Sequence, residues 1–313
     1  MAHDRKFRFG VQTSGAQSSR EWREKARKME ALGYSTLFMP DHFIDTVHAP
    51  MVGIATAAEA TDGLRVGTLV LGNDYKHPAV VAKEFASLDV LSDGRVEAGI
   101  GAGWQKSDYE ALGLPYDSHA IRIERLAEAL AILKGAWGPT PFSLSGRHYT
   151  ISNYDGLPKP VQQPHPPILV GGGGPKLLRL AGREADIVGI NPNLRAGEVS
   201  QDAAQDTMAA RTKQKIEWVR EGAGDRFDDL ELQIRYFVAA ITDDRYGLAE
   251  AMAPAVGMDP HDALESGVAV VGTVDECCDI LVRRREEWGV SYIVLGEDQF
   301  EAFAPVVDRL AGT

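Results

Sequence analysis

The chain is poor in cysteine and lacks any long uninterrupted apolar stretch. Its 313 residues include only two cysteines, Cys277 and Cys278, which are adjacent. Neighbouring cysteines rarely pair and two are too few for a zinc site, so we interpret them as buried thiols in a reducing compartment. No apolar run is long enough to span a bilayer, and the first ten residues contain no signal-peptide core. These absences predict a cytoplasmic protein with no membrane partner and no metal.

Positive charge is also scarce. Lysine and arginine total 33 against 45 aspartate and glutamate residues, which gives a formal net charge of −12. Because an acidic surface repels phosphate backbones and anionic lipids, this balance disfavours nucleic acid and membrane surfaces as partners. A small-molecule substrate is the favoured partner.

Several common catalytic motifs are missing. The sequence has no HExxH, no pair of CxxC motifs, no GxSxG and no P-loop, since Lys176 after the glycine run is followed by Leu177. A metal centre or a serine hydrolase would have to be assembled from scattered residues.

Short apolar segments alternate with helical patterns along most of the chain. One predicted helix begins at Pro78, where His77 is interpreted as a helix-entry contact. The predicted strands cover residues 7–12, 35–39, 65–71, 96–100, 168–171, 186–190, 230–241 and 292–295. Eight short strands followed by helices are the pattern of a parallel (β/α)₈ barrel.

An open doubly wound sheet is the competing architecture, with the glycines of residues 99–103 as its dinucleotide loop. Such a loop lies near the start of a domain, with an acidic residue about twenty positions later. Here the loop follows the fourth strand, and a helix is predicted at 119–134. We therefore predict an α/β fold, a TIM barrel that forms one domain over 1–313. Three segments interrupt its repeats: an insertion with a short hairpin at about 135–167, and variable helical segments at about 192–229 and 243–272.

Functional groups of such a barrel lie at the C-terminal ends of its strands. Gln12 and His42 occupy such positions, and a histidine there can exchange a proton near neutral pH. The structural alternative is a hydrogen-bonded turn formed by Asp41 and His42. Trp104 ends the glycine loop that follows the fourth strand, where it can either stack on a ligand or cap the barrel mouth.

A run of four glycines at 171–174 follows the fifth strand and opens a helix. Free amides at a helix N-terminus, with Lys176 and Arg179 nearby, suit a phosphate. The alternative is a loop that needs positive φ at several positions.

Together these segments resemble the luciferase-like monooxygenase superfamily, particularly its deazaflavin-dependent (coenzyme F420) oxidoreductases. The resemblance covers nearly the whole chain, and the SDGR turn at 92–95 is its most specific part. The matching segments are FRFGVQT at 7–13, LGYSTLFMPDHF at 32–43, residues 69–104, PKPVQQPHPPILVGGGG at 158–174, ADIVGINP at 185–192 and VGTVDE at 271–276.

The resemblance implies a luciferase-like TIM barrel with insertions, which holds the cofactor ring at its C-terminal mouth. It further implies a non-proline cis peptide at Leu69-Val70 against the ring, and a role for His42 in hydride transfer. The residues expected to bind the cofactor are Asp41, Leu69, Val70, Ala102, Gly103, Gly172, Gly173 and Gly174.

One position departs from the sugar-phosphate dehydrogenases of this superfamily. Those enzymes place a glutamate directly after the fourth-strand glycine loop, and this chain has Trp104. A sugar phosphate is therefore disfavoured, and an apolar or aromatic substrate better fits a pocket of Phe43, Tyr75 and Trp104.

The leading hypothesis is an F420-dependent oxidoreductase, in which His42 supplies a proton. The alternatives are an FMN-dependent monooxygenase with a partner reductase, a non-catalytic flavin or deazaflavin carrier, and a barrel enzyme without a redox cofactor. A homodimer is expected, with the helices before the fourth strand as contact surfaces.

Overall fold

Strands and helices alternate along the chain in the computed structural model, which describes residues 5–44, 46–198 and 201–313. The strands are β1 (Arg8–Gln12), β2 (Thr36–Met39), β3 (Arg65–Thr68), β4 (Leu71–Gly72), β5 (Val96–Gly101), β6 (Phe142–Ser145), β7 (Thr150–Tyr154), β8 (Ile168–Gly172), β9 (Ile187–Ile190), β10 (Glu231–Arg235), β11 (Val238–Ile241), β12 (Ala269–Gly272) and β13 (Val290–Gly296).

The helices cover the outside of the barrel and its mouth. They are α1 (Ser19–Ala31), α2 (Pro50–Glu59), α3 (Pro78–Leu91), α4 (Lys106–Leu112), α5 (His119–Trp137), α6 (Pro175–Glu184), α7 (Gln201–Gln205), α8 (Ala209–Ala223), α9 (Arg245–Met252), α10 (Pro260–Glu265), α11 (Val274–Trp288) and α12 (Phe300–Leu310). Short 3₁₀ helices cover Asn73–Tyr75, Gly224–Asp229 and Ala253–Val256. Within the described ranges, no helix is long and apolar enough to cross a membrane.

A single parallel sheet closes into the barrel. Its strand order is β3-β2-β1-β13-β10-β9-β8-β5-β4, and a further pairing of β3 with β5, at Val66 opposite Val96, closes the ring. Because β3 and β4 share one place in the ring, the barrel has eight strand positions. The predicted TIM barrel is confirmed.

Local signals in the sequence account for the helix ends. Ser18 caps α1 by accepting a hydrogen bond from the Glu21 N–H, and Gly33 follows that helix with a φ of 82°. His77 caps α3 through the Ala79 N–H, while Pro78 occupies the first helical turn. These caps satisfy backbone donors that the helix itself leaves unpaired.

Two predicted strands are broken in the structure. The third strand, predicted over 65–71, divides into β3 and β4 around the cis Leu69-Val70 peptide, which the family resemblance had implied. The seventh, predicted over 230–241, ends in the barrel at Arg235, and its second half leaves as β11. The pattern of residues 230–241 carries no signal for such a departure, because periodicity does not reveal which sheet a strand joins.

Strand β12 lies at the end of the segment of about 243–272 that the sequence analysis predicted as helical. It pairs in parallel with β11, in a two-stranded sheet outside the barrel. Its four residues are too few for periodicity to separate them from the flanking helices. The hairpin predicted within 135–167 is confirmed as antiparallel β6 and β7.

A buried carboxylate cross-links the barrel strands. Glu97 of β5 has no solvent exposure and accepts hydrogen bonds from Arg8 Nη1 at 2.6 Å, Arg65 Nε at 2.9 Å and Tyr292 Oη at 3.0 Å. Burial by itself would raise the pKa of Glu97, but Arg8 and Arg65 bring that pKa below its ordinary value. The ionised form is therefore the one that holds these strands together.

Replacing this carboxylate should destabilise the fold strongly. We expect Glu97→Gln to lower the free energy of unfolding by about 3–5 kcal/mol at neutral pH, because two guanidinium groups lose their buried partner. Since the folded-state pKa is depressed, the difference should shrink as the pH falls below about 4. Urea unfolding of both proteins across this range measures it.

The matched control is Glu301→Gln, which removes an exposed ion pair with Lys28. It should change stability by less than about 1 kcal/mol. Equal effects of the two substitutions at neutral pH would contradict the role assigned to Glu97.

Candidate active site

A cavity of about 840 Å³ lies at the C-terminal mouth of the barrel. Its volume is within the usual range for sites that bind small molecules and cofactors. Residues at the ends of several barrel strands line it, as expected for this fold. The candidate residues among them are Asp41, His42, Leu69, Val70, Tyr75, Ala102, Gly103, Trp104, Gly172, Gly173 and Gly174.

Phe43, predicted as part of the substrate pocket, is not among the residues that line this cavity. Its side chain is half exposed, and its ring meets the edge of Tyr75 at a centroid distance of 5.1 Å. The chain bends at residues 43–44, and His42 faces the cavity while Phe43 does not. It supports the pocket from behind through Tyr75.

His42 is held by a carboxylate that the sequence analysis did not identify. Its Nδ1 lies 2.7 Å from Asp108 Oδ2, and Asp108 Oδ1 accepts the backbone N–H groups of Phe43 at 3.0 Å and Ile44 at 3.3 Å. Asp108 is fully buried. A carboxylate bonded to Nδ1 fixes the orientation and tautomer of an imidazole and leaves Nε2 for other chemistry.

Asp108 was missed because its helix was missed. It lies in the first turn of α4 (Lys106–Leu112), a seven-residue helix whose pattern is too short to stand out. Acidic residues are common in first turns for reasons of helix stability alone. The available signal was the position of this carboxylate, four residues beyond Trp104.

Asp41 is engaged elsewhere, so the predicted turn of Asp41 with His42 is not formed as an ion pair. Its Oδ2 accepts the Gly72 N–H at 3.0 Å, which ties the end of β2 to β4. Burial raises the pKa of Asp41, and the Gly72 N–H opposes that rise. Asp41 thereby braces the chain directly after the Leu69-Val70 peptide.

Gln12 connects opposite sides of the mouth. Its Nε2 donates to the Leu69 carbonyl oxygen at 2.8 Å, while its Oε1 accepts from Arg235 Nε at 3.1 Å. Arg235 ends β10 and also lines the cavity. Sequence reasoning did not select it, because the predicted strand continued unbroken through that position.

Trp104 closes the side of the cavity next to His42. The two rings meet edge to face, with centroids 5.4 Å apart. Tyr116 Oη donates to the Trp104 carbonyl oxygen at 2.9 Å and so holds the loop. The structure thus places an indole beside the imidazole of His42.

A group of cations surrounds the glycine run. Burial lowers the pKa of His119, and the nearby positive charges of Arg122, Arg195 and Lys176 lower it further. Arg122 is 1% exposed, and its Nη1 donates to the Gly103 carbonyl oxygen at 3.0 Å. Its Nε has no partner, and no carboxylate of the described residues forms an ion pair with it. A buried guanidinium without a counter-ion is unfavourable, so an anionic ligand group fits this place.

The glycines of the run are explained neither by a phosphate nor by positive φ, the two reasons that the sequence analysis considered. None of Gly171 to Gly174 has a positive φ. A Cβ at Gly172 would lie 2.5 Å from Leu177 Cδ2, and one at Gly173 would lie 2.5 Å from the Asn193 backbone nitrogen. Packing of the protein against itself therefore requires these two glycines, and the argument for an anion rests on Arg122.

A closed parallel barrel with a ligand-sized cavity at its C-terminal mouth is the architecture of a TIM-barrel enzyme. A model of the luciferase-like monooxygenase family matches residues 5–292, and the chain belongs to that family of oxidoreductases.

Relatives with two different cofactors are similar to this chain. An FMNH(2)-dependent dimethylsulfone monooxygenase of Pseudomonas putida is 32% identical over 52% of this chain, and the match spans 45% of the relative's length. An F420-dependent glucose-6-phosphate dehydrogenase of Microbacterium testaceum is 28% identical over 83% of this chain and 78% of its own. The coenzyme F420-dependent tetrahydromethanopterin reductase of Methanopyrus kandleri has the same fold, with a TM-score of 0.78 at 18% identity over 98% of this chain and 99% of that one.

The contact between His42 and Asp108 predicts the tautomer of the ring. An ionised carboxylate only accepts, so neutral His42 should carry its proton on Nδ1. In Asp108→Ala we expect the His42 ring to shift toward the Nε2-protonated tautomer that histidine favours in water. Heteronuclear NMR of the ring nitrogens measures both states.

His77 is the internal control, because its Nδ1 accepts from the Ala79 N–H at 3.2 Å. It should be protonated on Nε2 in both proteins. A His42 ring with the same tautomer as His77 in the unmodified protein would contradict the assigned pairing.

Proposed function

We propose that the chain is an F420-dependent oxidoreductase that transfers a hydride between the deazaflavin and a small apolar or aromatic organic substrate. The observation that carries this proposal is one cavity that joins two features: the His42–Asp108 pair and the glycine run beside Arg122. The F420-dependent dehydrogenase that matches 83% of the chain supports it.

The residues present fit the deazaflavin cofactor. Its flat ring would lie against Leu69, Val70, Ala102 and Gly103, which line the cavity between the two features. Its phosphate would meet the backbone at Gly172, Gly173 and Gly174, with the guanidinium of Arg122 as a cation of the same cavity and His119 as a neutral hydrogen-bonding group. When bound, the deazaflavin supplies the carrier of the hydride.

The protein contributes orientation and a proton. Asp108 holds His42 by Nδ1, so Nε2 is the atom that can give a proton to the substrate or take one from it. Asp41 bonds the backbone just beyond the peptide that would face the ring, and Gln12 bonds the Leu69 carbonyl oxygen. Both contacts fix the backbone from Leu69 to Gly72, which would lie beside the ring.

Apolar side chains support the proposed class of substrate. Beyond the barrel mouth the cavity continues into a chamber formed by β11, β12, α9 and α10 and the loops beside them. This space is here called the side chamber, and its apolar wall consists of Val238, Leu248, Met252, Leu264 and Val271. Sugar hydroxyl groups placed there would lose hydrogen bonds to water without replacing them.

An FMN-dependent monooxygenase with a partner reductase is the second candidate. The relative of Pseudomonas putida, which is FMNH(2)-dependent by name, supports it at 32% identity. The glycine run and Arg122 suit the phosphate of FMN as well as that of the deazaflavin. A flavin or deazaflavin carrier would use the same cavity without needing His42.

Cofactor binding and turnover in His42→Ala test the proposal together. We expect the protein to bind F420 in preference to FMN, and the variant to retain F420 affinity. Its turnover should fall by about 10²–10⁴-fold, the usual contribution of general acid–base catalysis. Quenching of deazaflavin fluorescence measures binding. Turnover is measured as loss of the visible absorbance of oxidised F420 with apolar and aromatic alcohols, and as return of that absorbance from reduced F420 with apolar and aromatic enones.

Each alternative has its own outcome in this experiment. Nanomolar affinity for FMN with none for F420 would overturn the assigned cofactor. A variant with unchanged turnover would favour a carrier, and a protein that binds neither compound would favour a barrel enzyme without a redox cofactor.

We further propose a cytoplasmic homodimer. Cys277 and Cys278 are buried and unpaired, in keeping with a reducing compartment. Helices α2 and α3 present exposed apolar side chains in Val52, Val80 and Leu91, which are 67%, 50% and 79% exposed. Val80 and Leu91 border one groove together with Met51, and exposed apolar surface of this kind is more typical of a contact surface than of a free one.

Substitution at this surface should separate the subunits. We expect sedimentation equilibrium to give a dimer for the unmodified protein and a monomer for Leu91→Glu, because a charge would be buried without a partner. Leu112→Glu on α4 changes an exposed leucine elsewhere and should leave the dimer intact. A monomeric unmodified protein would contradict the proposal.

A further inference from the structure

Arg235 is a second cation of the cavity, separate from the group around the glycine run. It ends β10, and its side chain is partly buried among the residues that line the mouth. Around the barrel, β13 and β1 separate it from β2, which leads to His42. The predicted cofactor residues follow β2, β3, β5 and β8, so Arg235 lies on the opposite side of the mouth.

The guanidinium of Arg235 has hydrogen bonds but no charge partner. Nε donates to Gln12 Oε1 at 3.1 Å, and Nη1 donates to the Tyr236 carbonyl oxygen. Both acceptors are neutral, and no carboxylate among the described residues forms an ion pair with it. Burial lowers the pKa of Arg235, and the charge of Asp298 opposes this without contact.

The orientation of the guanidinium is constrained on several sides. Gln12 donates to Leu69 through Nε2, so only its oxygen is left for Arg235. The Phe237 ring lies 4.7 Å from Arg235 Cζ and covers one face of the group. A Cβ at Gly296 would lie 2.9 Å from Nη2 and 2.6 Å from Asp298 Oδ1, so the glycine leaves room for both groups side by side. Nη2 has no hydrogen-bond partner among the described residues.

The position of Arg235 connects it to the side chamber. β11 begins three residues later at Val238, the first member of the chamber wall. A ligand that filled the chamber with an apolar body would therefore meet one cation where the chamber joins the mouth. Planar guanidinium groups recognise carboxylates through paired N–H donors.

We propose that Arg235 binds a carboxylate of the substrate, whose apolar body occupies the side chamber. This rests on the proposed function and deepens it, because it identifies the substrate as an apolar carboxylic acid. Arg235 is a binding residue that fixes the orientation of the substrate, while His42 handles the proton. The group around Arg122 remains for the phosphate of the cofactor.

A pair of probes with one ring system tests the assignment. Calorimetric titration would compare naphthalene-2-carboxylate with the uncharged 2-naphthalenemethanol, in the apoprotein and in protein saturated with F420. We expect Arg235→Gln to weaken binding of the carboxylate by about tenfold or more and to leave the alcohol unchanged. Arg235→Lys should recover part of the loss, because it keeps the charge without the planar fork.

Arg245→Gln is the matched control, since Arg245 lies on α9 near the chamber but does not line the cavity. It should bind both probes as the unmodified protein does. Thermal unfolding of each variant shows that it is folded.

Three outcomes would overturn the assignment: equal weakening of both probes, failure of the unmodified protein to bind the carboxylate, or loss of F420 affinity alone in Arg235→Gln. If Arg235→Gln weakens only the carboxylate but the unmodified protein does not bind F420, the role of Arg235 is supported and the proposed cofactor is wrong.

Discussion

The buried carboxylate of Glu97 is the interaction on which the geometry of this barrel depends. It bonds side chains from β1, β3 and β13 while it lies on β5, so these strands share one ionic centre. Three of those strands lead directly to Gln12, Leu69 and the loop of Trp104. Because strand register determines where each strand ends, the contacts of Glu97 also determine how the walls of the cavity face each other. A carboxylate without exposure is tolerated here because both of its oxygens are bonded and its charge is matched.

The mouth divides its chemistry between separate groups of residues. His42 and Asp108 form a hydrogen-bonded pair on one side, and Arg122, Arg195 and Lys176 place positive charge around His119 on another. A solved structure named for F420 shares this barrel, and a relative named for FMNH(2) is similar in sequence. The same fold suits either cofactor, because both cofactors have a flat ring and a phosphate that would contact the backbone. Differences in function must then arise from the side chains that surround the ring.

The sequence was sufficient for the barrel, the hairpin insertion and the strand-end part of the cavity wall, because apolar periodicity and glycine-rich strand ends report directly on burial and turns. The family resemblance added the position of the cis peptide at Leu69-Val70. Asp108, Arg235 and Glu97 were not found, since each becomes meaningful only through a partner that is distant in the chain: His42, Gln12 and Arg8. Strand β12 was missed for a related reason, because its partner β11 was assigned to the barrel. The division into domains and the role of each site residue remain predictions.

The small sheet of β11 and β12 has a consequence for how this protein can change over time. Ala249, Leu264 and Val271 form an apolar cluster of their own, apart from the main core. Substitutions at sites without shared neighbours affect stability additively, so a change in this cluster adds its own effect without amplifying a change at the buried contacts of Glu97. Side chains of the cluster can therefore be replaced over time while the hydrogen bonds that hold the barrel mouth are kept, and the shape of the chamber can change with them.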